Sequence, residues 1–289
     1  MVEIGDLLLA MYGATSGDIA ISKIKGAINQ AILCIRTNQN KKFIESVWNK
    51  HVSKILRKYL QGGQGNLSAD IVKGISFSFP TLEEQERIAN LISLLDERIA
   101  TQNKIIDKLQ SLIKGITQKI VRSNKPNVRL TECLECKSST LQESEVCEQG
   151  TYSVYGANGI VGYLDNYNTE GEAVYIIKDG SGVGTVSYVT GKCSATGTLN
   201  TLQAKEGYSL HYLYYLLKVF NFEPYKTGMA IPHIYFKDYG KAKVFCPSYT
   251  EQLRYARLLS AIDNKLSIEQ NILTGLTLQK QCLLRQMFI

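Results

Sequence analysis

The chain has 289 residues, of which 44% are hydrophobic and 20% charged, and its formal net charge is +7. This composition is typical of a folded globular protein and excludes a fibrous or disordered one, while the length favours two or three domains. No apolar run of about 18 residues is present, so no membrane span is predicted. The N-terminus lacks the basic flank of a signal peptide, and the seven cysteines are an odd number. Together these features predict reduced thiols in a cytoplasmic protein.

The positive charge is concentrated in two parts of the chain. Residues 1–79 contain ten Lys or Arg against five Asp or Glu, and residues 173–246 contain eight against four. Basic surfaces of this kind suit a polyanion such as DNA. Two solvated basic surfaces without a ligand would have the same composition.

The first predicted elements are two strands joined by a glycine turn. An apolar run, a Gly/Ser turn and a second apolar run follow one another over residues 5–21. Basic residues at helical spacing within 41–60 then predict a helix whose charges either contact phosphates or face solvent. Residues 59–80 contain a glycine loop, a short extended stretch and a strand that leads into Pro80.

A long helix is predicted over residues 80–121. Pro80 and Thr81, followed by acidic residues, form a good helix start, and apolar residues then recur at intervals of three and four. Residues 247–288 repeat this segment without a gap at an offset of 167, with ten identical positions. Each helix would have about 40 residues. Because so long a helix with a narrow apolar stripe needs a partner, we expect the two copies to pack together.

The repeat extends beyond the helices. The strand–turn pattern of residues 5–21 recurs at 171–187, and the glycine-loop pattern of 59–80 recurs at 225–247. The predicted order is a first domain (1–79), a central helix (80–123), a second domain (124–246) and a C-terminal helix (247–289). Counted from Asn127, the second domain has 44 residues before its match begins at Gly171, whereas the first domain has four before Gly5. We therefore expect the first domain to be incomplete.

These motifs resemble those of the specificity subunit of Type I restriction–modification systems. The resemblance rests on FPTLEEQERIA (79–89), its counterpart CPSYTEQLRYA (246–256), the two strand–turn elements and the Tyr-rich segment 208–218. It implies an α+β fold with two mixed α/β target recognition domains, separated by two long helices that form an antiparallel coiled coil. It also implies that each domain reads one half of a bipartite double-stranded DNA site. The helices would dock two methyltransferase (modification) subunits, and restriction (nuclease/translocase) subunits would join outside.

No catalytic motif is recognisable in the sequence. The glycine turns do not form a P-loop, and no nucleophile elbow, HExxH or Asn-Pro-Pro-aromatic segment is present. Cys133 and Cys136 form a CxxC, but zinc usually requires a second pair at suitable spacing. The sequence thus predicts a non-catalytic subunit without a metal or cofactor. A coiled-coil scaffold that does not read DNA is the alternative.

Candidate DNA-binding residues lie on one turn and one loop of each domain, where paired donors and acceptors can reach base edges. In the first domain they are Tyr12, Thr15, Ser16, Gln61, Gln64 and Asn66. In the second domain they are Lys178, Ser181, Tyr225, Lys226, Thr227 and His233. For each of these residues an ordinary role in the turn is the alternative. Tyr212 and Tyr215 are expected to pack in the core.

The incomplete first domain leads to a prediction about partners. Either a second chain completes this domain, or the domain reads DNA poorly. A homodimer could also combine two copies of the second domain and read a symmetric site.

Overall fold

The computed structural model of the protein describes residues 1–61, 64–65 and 67–287. The chain divides into two compact units, the first formed by Met1–Ile106 with Ile268–Ile289 and the second by Asp107–Ser267. Both units combine helices with β-sheet. The α+β fold class predicted from the sequence is therefore confirmed.

A small antiparallel sheet forms the base of the first unit. The elements up to the end of the first long helix are, in chain order, β1 (Leu7–Ala10), β2 (Ile19–Ile21), β3 (Ile32–Ile35), α1 (Lys41–Lys58), β4 (Leu60–Gln61), β5 (Gln64–Gly65), α2 (Ala69–Lys73) and α3 (Leu82–Arg122). Strand β1 lies between β2 and β3 and is antiparallel to both. Strands β4 and β5 pair in a short hairpin.

Helix α1 packs on this sheet with one set of apolar residues and on α3 with another. The helix begins after Asn40, whose side chain accepts a hydrogen bond from the N–H of Phe43 at 3.0 Å. Phe43 and Val47, one turn apart, are buried against Ala89 and Ile92 of α3, whereas Trp48 packs with Leu9 of β1. The indole of Trp48 donates to the carbonyl of Gly17 at 2.7 Å, which ties the helix to the glycine turn.

The second unit contains more strands than the first. The remaining elements of the chain are, in order, β6 (Val128–Arg129), α4 (Leu130–Cys133), β7 (Leu134–Ser138), β8 (Tyr152–Gly156), β9 (Gly159–Leu164), β10 (Ala173–Ile177), β11 (Val186–Val189), β12 (Ser194–Ala195), β13 (Leu199–Ala204), α5 (Leu210–Val219), α6 (Phe236–Tyr239), β14 (Lys243–Val244) and α7 (Tyr249–Met287). They form a four-stranded sheet in the order β11-β10-β13-β7, a three-stranded sheet in the order β12-β8-β9, and the pair β14-β6.

The sequence repeat is also a repeat of strand register. Leu7 lies opposite Ile35 between β1 and β3, and Val174 lies opposite Leu202 between β10 and β13, each residue displaced by 167 positions. Every other backbone partner of β1 recurs in β10 at the same offset. A slip of one residue would turn every side chain to the other face of the sheet. The shared register therefore means that equivalent residues lie on the same face in both units.

The two sheets differ at one edge. Strand β7 lies antiparallel along β13 in the second unit, whereas no strand in the described part of the first unit lies along the outer edge of β3. Residues 199–202 of β13 are all buried, while all four residues of β3 remain partly exposed. The outer edge of β3 is thus open.

The long helices α3 and α7 run antiparallel and carry the coiled coil predicted from the sequence. The side chain of Gln102 donates to the backbone carbonyl of Glu269 at 3.0 Å, and Lys280 forms an ion pair with Asp96. As α3 advances from Asp96 to Gln102, its partner on α7 recedes from Lys280 to Glu269. The apolar stripes of both helices are buried at Ile92, Leu95, Ile106, Ile113, Ile120, Leu259, Leu266 and Leu276.

Both helices have the same hydrogen bond between a glutamine side chain and the proline that precedes the helix. The amide of Gln85 donates to the carbonyl of Pro80 at 2.9 Å, and the amide of Gln252 donates to that of Pro247 at 2.9 Å. Both glutamines are fully or almost fully buried. None of the helices within the described residues combines the length and the hydropathy that a membrane span needs.

Candidate nucleic-acid interface

In the second unit, backbone hydrogen bonds join the candidate turn to the candidate loop. The N–H of Ile234 donates to the carbonyl of Lys178 at 2.9 Å, and the N–H of Gly180 donates to that of Pro232 at 3.0 Å. The first unit contains the equivalent bond, from the N–H of Leu67 to the carbonyl of Met11 at 2.8 Å. The two segments proposed from the sequence therefore lie side by side in each unit.

Glycines shape the turn in both units. Gly180 and Gly184 have φ values of +97° and +90°, and Gly13 and Gly17 have +79° and +91°. Backbone in this region strongly favours glycine because a Cβ atom would be strained there. Of the three glycines that the sequence predicts to permit this turn, Gly180 and Gly184 have a positive φ and Gly182 does not. The turn is the same in both units.

The loop of the second unit is a narrow hairpin. Thr227 and His233 exchange two backbone hydrogen bonds of 2.9 and 2.7 Å, and Gly228 turns the chain with a φ of +87°. Met229 and Ile231 are strongly exposed at the tip. The hairpin thus presents polar and apolar side chains to solvent.

His233 has a partner that is not among the residues predicted from the sequence. Its Nδ1 lies 2.6 Å from Oδ1 of Asp179 on the neighbouring turn, with both side chains about one third exposed. Because a carboxylate only accepts, Nδ1 donates and Nε2 remains to meet a further group. No local signal identifies Asp179, since the two residues are 54 positions apart.

The other candidates of the second unit differ in their availability. The ammonium of Lys226 lies 2.6 Å from a carboxylate oxygen of Glu223, and the ring of Tyr225 stacks on Phe220 at 5.8 Å. Ser181 and Thr227 are exposed, and Lys178 is partly exposed. A phosphate that bound Lys226 would therefore replace Glu223, while Tyr225 is held in the fold.

Another exposed aromatic residue follows the hairpin. Tyr235 is 47% exposed, and the ammonium of Lys237 lies 5.3 Å from the centre of its ring. An exposed ring next to a cation suits stacking on a base and contact with a phosphate. Neither residue is among the candidates predicted from the sequence.

The first unit presents fewer described candidates. Tyr12 is 45% exposed and Thr15 is exposed, whereas Ser16 donates its hydroxyl to the carbonyl of Met11 at 2.9 Å within the turn. Ser16 therefore has a structural partner. The backbones of Gln61 and Gln64 pair in the β4–β5 hairpin, and their side chains lie outside the described part, as does the whole of Asn66.

The tyrosines of α5 are core residues, as expected from the sequence. Tyr212 and Tyr215 are buried, and the Tyr212 hydroxyl donates to the carbonyl of Phe245 at 2.8 Å. Burial raises the pKa of both phenols. Their packing role is confirmed.

The CxxC cysteines do not lie in a cluster of metal ligands. Cys133 is buried, with its thiol directed at the backbone carbonyl of Arg129 at 3.3 Å, and Cys136 lies on β7. Across the described ranges, no three His, Cys, Asp or Glu residues lie close enough together to hold a metal ion.

The protein belongs to a class in which a glycine turn bonded to a neighbouring loop, here called the platform, occurs twice in a chain that also has two long antiparallel helices. Residues 2–111 and 123–278 match the family model described as the Type I restriction modification DNA specificity domain. The chain belongs to this family. Membership supports a role in the DNA sequence specificity of restriction–modification systems.

Relatives and solved structures agree with this assignment. The specificity subunit of the Type I restriction enzyme MjaVIII from Methanocaldococcus jannaschii is 28% identical, over 42% of this chain and 29% of its own length. The putative Type I specificity subunit S.MgeORF438P from Mycoplasma genitalium is 26% identical, over 71% of this chain and 59% of its own length. The chain thus matches less than two thirds of these relatives. The crystal structure of the Type I S subunit from M. genitalium has the same fold, with a TM-score of 0.72, 20% identity, and coverage of 99% of this chain and 83% of that one.

Proposed function

We propose that the chain is a non-catalytic subunit of a Type I restriction–modification complex that reads DNA through the paired turn and loop of each unit. The observation that supports this most directly is the repeated platform, in which the same backbone bond joins turn to loop at Met11–Leu67 and at Lys178–Ile234. Residues 1–79 and 124–246 would be the two recognition domains. All seven cysteines are free thiols, in keeping with a cytoplasmic location.

Within the second domain, we assign base reading to His233 and phosphate contact to Lys226. Asp179 holds the His233 imidazole so that Nε2 can meet a base edge in the groove. Lys226 would leave Glu223 for a phosphate, which adds affinity without sequence preference. Lys178, Ser181, Tyr225 and Thr227 would surround these contacts in the second domain, and Tyr12, Thr15, Ser16, Gln61, Gln64 and Asn66 would contribute in the first.

The outward faces of the long helices are the proposed docking surface for two methyltransferase subunits, with restriction subunits joining the assembly. Leu91 and Leu94 of α3 are 40% and 64% exposed. On α7, Leu258 and Leu278 are 49% and 60% exposed. Large apolar side chains that the helix pair leaves uncovered favour a protein partner.

The alternative is a scaffold that organises other proteins without reading DNA. The experiment begins with methylome sequencing of cells with and without the chain, which defines a methylation motif. Competition binding at physiological salt then compares a duplex that contains this motif with a scrambled duplex. Preference for the motif supports the proposal, and equal binding supports the scaffold.

Three variants test the assigned roles. His233→Ala should relax one base position by about 1–3 kcal/mol, and Asp179→Asn should weaken the same position without affecting others. Lys226→Ala should weaken binding to every duplex and lower the salt slope by about one. Lys243→Ala, on β14 outside both segments, is the control for loss of charge. Unchanged affinity and preference in all three variants would remove this platform from the interface.

A further inference from the structure

We propose that the exposed side of the C-terminal half of α1 is a further DNA-contacting surface of the first unit, which binds the phosphate backbone whatever the base sequence. This surface, here called the basic face, consists of Lys50, Lys54, Arg57 and Lys58. The inference rests on the proposed function in taking DNA as the ligand of the chain. It does not require that any base is read.

The basic face carries positive charge without acidic neighbours. Residues 46–69 contain these four Lys and Arg residues and no Asp or Glu. The closest ion pairs along the described chain are Lys42–Glu45 before this segment and Asp70–Lys73 after it. A helix face that only meets solvent usually alternates charges of both signs. A face of one sign instead suits a polyanion.

Helical spacing places the four charges together. Lys54 lies four residues after Lys50, four before Lys58 and three before Arg57, so all four share one side of α1. Lys54, Arg57 and Lys58 are exposed, and Lys50 is partly exposed. Cations stabilise the last turn of a helix, which accounts for Arg57 and Lys58 but not for Lys50 and Lys54. Since like charges at this spacing repel one another, an anionic ligand would stabilise the helix.

The apolar side of the same helix lies against the core and the glycine turn. Val52, Ile55 and Leu56 pack against the buried apolar cluster of the first unit. A Cβ atom built on Gly17 would lie only 2.6 Å from Cγ2 of Val52, so the helix contacts the turn directly. The C-terminus of α1 is followed at once by β4, the first strand of the β4–β5 hairpin. The basic face therefore belongs to the helix that adjoins both segments of the first platform.

Two of the lysines line a pocket in which an anion would meet no carboxylate. Lys54 and Lys58 line a pocket of about 250 Å³ together with Tyr59, Gly74 and Ser76. None of the described residues that line it is acidic. A phosphate group there would contact two ammonium groups, and the hydroxyl of Ser76 could donate a further hydrogen bond.

The second unit places its positive charge elsewhere. Helices α1 and α5 are equivalent in the repeat, since Trp48 and Tyr215 are 167 residues apart. However, α1 has 18 residues and α5 has ten, with Lys218 as its only Lys or Arg. The loop of the second unit contains Lys226, whereas residues 61–66 of the first contain no charged residue. The first unit thus carries on its helix the kind of charge that the second carries on its loop.

These observations favour DNA over an acidic protein surface as the ligand. The helix adjoins the platform of the same unit, and the chain belongs to a family of DNA specificity domains. The basic face extends over about 12 Å of the helix axis. Because a duplex presents phosphates at intervals of about 3.4 Å along each strand, the face can contact more than one of them.

The test measures how salt affects binding of the full chain to a duplex of scrambled sequence. The variant Lys50→Gln/Lys54→Gln/Lys58→Gln removes three charges, while glutamine keeps a helix propensity close to that of lysine. Each phosphate contact adds about 0.9 to the slope of log K against log salt, so the slope should fall by about 2.7. The affinity at physiological salt should fall at least about tenfold.

The matched control removes the same net charge from another helix. It is Lys104→Gln/Lys108→Gln/Lys114→Gln, three exposed positions of α3, and it should keep most of the wild-type slope. Thermal unfolding followed by Trp48 fluorescence checks the first unit in both variants. The basic-face variant should be at least as stable as the wild type, because the repulsion between its lysines is removed.

Four results would overturn the proposal. They are an unchanged slope in the basic-face variant, an equal fall in both variants, failure of the wild-type chain to bind the scrambled duplex at low salt, and loss of methyltransferase co-purification with unchanged DNA binding. The last result would assign the face to an acidic protein surface.

The ratio of affinities for the motif and scrambled duplexes tests the proposed function separately. The basic-face variant should weaken both affinities by the same factor and leave this ratio unchanged. Equal binding of the two duplexes by the wild type, with a lowered slope in the variant, would refute base reading and support the basic face.

Discussion

Gln252, at the start of α7, makes two buried hydrogen bonds, one to the start of α5 and one to Pro247, and its replacement should destabilise the second unit. Its Oε1 accepts from the N–H of Ser209 at 2.9 Å, and its Nε2 donates to the carbonyl of Pro247 at 2.9 Å. Gln252 and Ser209 are 2% and 7% exposed, so water cannot replace the lost partner. Two lost hydrogen bonds and one buried N–H left unsatisfied should cost about 2–4 kcal/mol in Gln252→Ala.

Urea unfolding with two optical probes measures this cost. Near-ultraviolet circular dichroism of the tyrosines reports mainly on the second unit, while fluorescence of Trp48, the only tryptophan, reports on the first. Gln252→Ala should shift the tyrosine transition and leave the tryptophan transition in place. Gln279→Ala, at an exposed position of α7, controls for the change of residue type.

Gln252→Leu separates the hydrogen bonds from the side-chain volume. Leucine fills similar space without a donor or acceptor, so the destabilisation should remain above about 1 kcal/mol. Wild-type stability in Gln252→Leu would refute the hydrogen-bond reasoning. The equivalent Gln85→Ala should shift the tryptophan transition instead, because Gln85 accepts from the N–H of Asn40 and donates to Gln39 and Pro80 within the first unit.

Three further perturbations test other parts of the structure. A hydrogen bond from Arg36 lowers the pKa of Asp6 from 3.8 to about 2, so the ionised carboxylate stabilises the first unit above pH 3.8 and this contribution is lost as the pH falls towards 2. Acid unfolding followed by tryptophan fluorescence should show this loss, and Asp6→Asn should remove it. Gly184→Ala places a Cβ at a φ of +90° and should cost about 1–2 kcal/mol in thermal unfolding, whereas Gly182→Ala, which has no left-handed φ, should cost less. Leu109→Pro should break α3 at a cost of about 3 kcal/mol or more and abolish co-purification with the methyltransferase; normal co-purification would contradict the paired-helix docking surface.

The sequence predicted the features that repeat and those that are local. An ungapped match over 42 residues places the same helix twice, and the glycine turns carry their own conformational signal. By contrast, β8, β9 and β12 were not predicted. Strand β12 pairs with β8, which is far away in the chain, whereas β8 and β9 form a local hairpin that closes at Gly156 and Gly159 and could have been found from the sequence. Short strands such as β6 and β14 have almost no local pattern and exist only because they meet each other.

The local features of the candidate site were predicted from the sequence, whereas the contacts between its segments were not. The turn and the loop could be named from their glycines and polar residues, but their adjacency is a matter of backbone bonds such as Lys178–Ile234. Asp179 was missed because its role comes only from His233. Lys226 was named without its partner Glu223, although the two are one helical turn apart in sequence.

The two units hold one backbone frame with different side chains at equivalent positions. Tyr12 corresponds to Asp179 at the offset of 167, and Ser16 corresponds to Val183, while the strand register and turn hydrogen bonds around them are unchanged. The shared backbone therefore determines where the side chains of the turn lie, but not which side chains they are. Since base reading depends on the donors and acceptors of side chains, we expect the two platforms to differ in their sequence preference. If both read DNA, the site they define is asymmetric, with its two halves different in sequence.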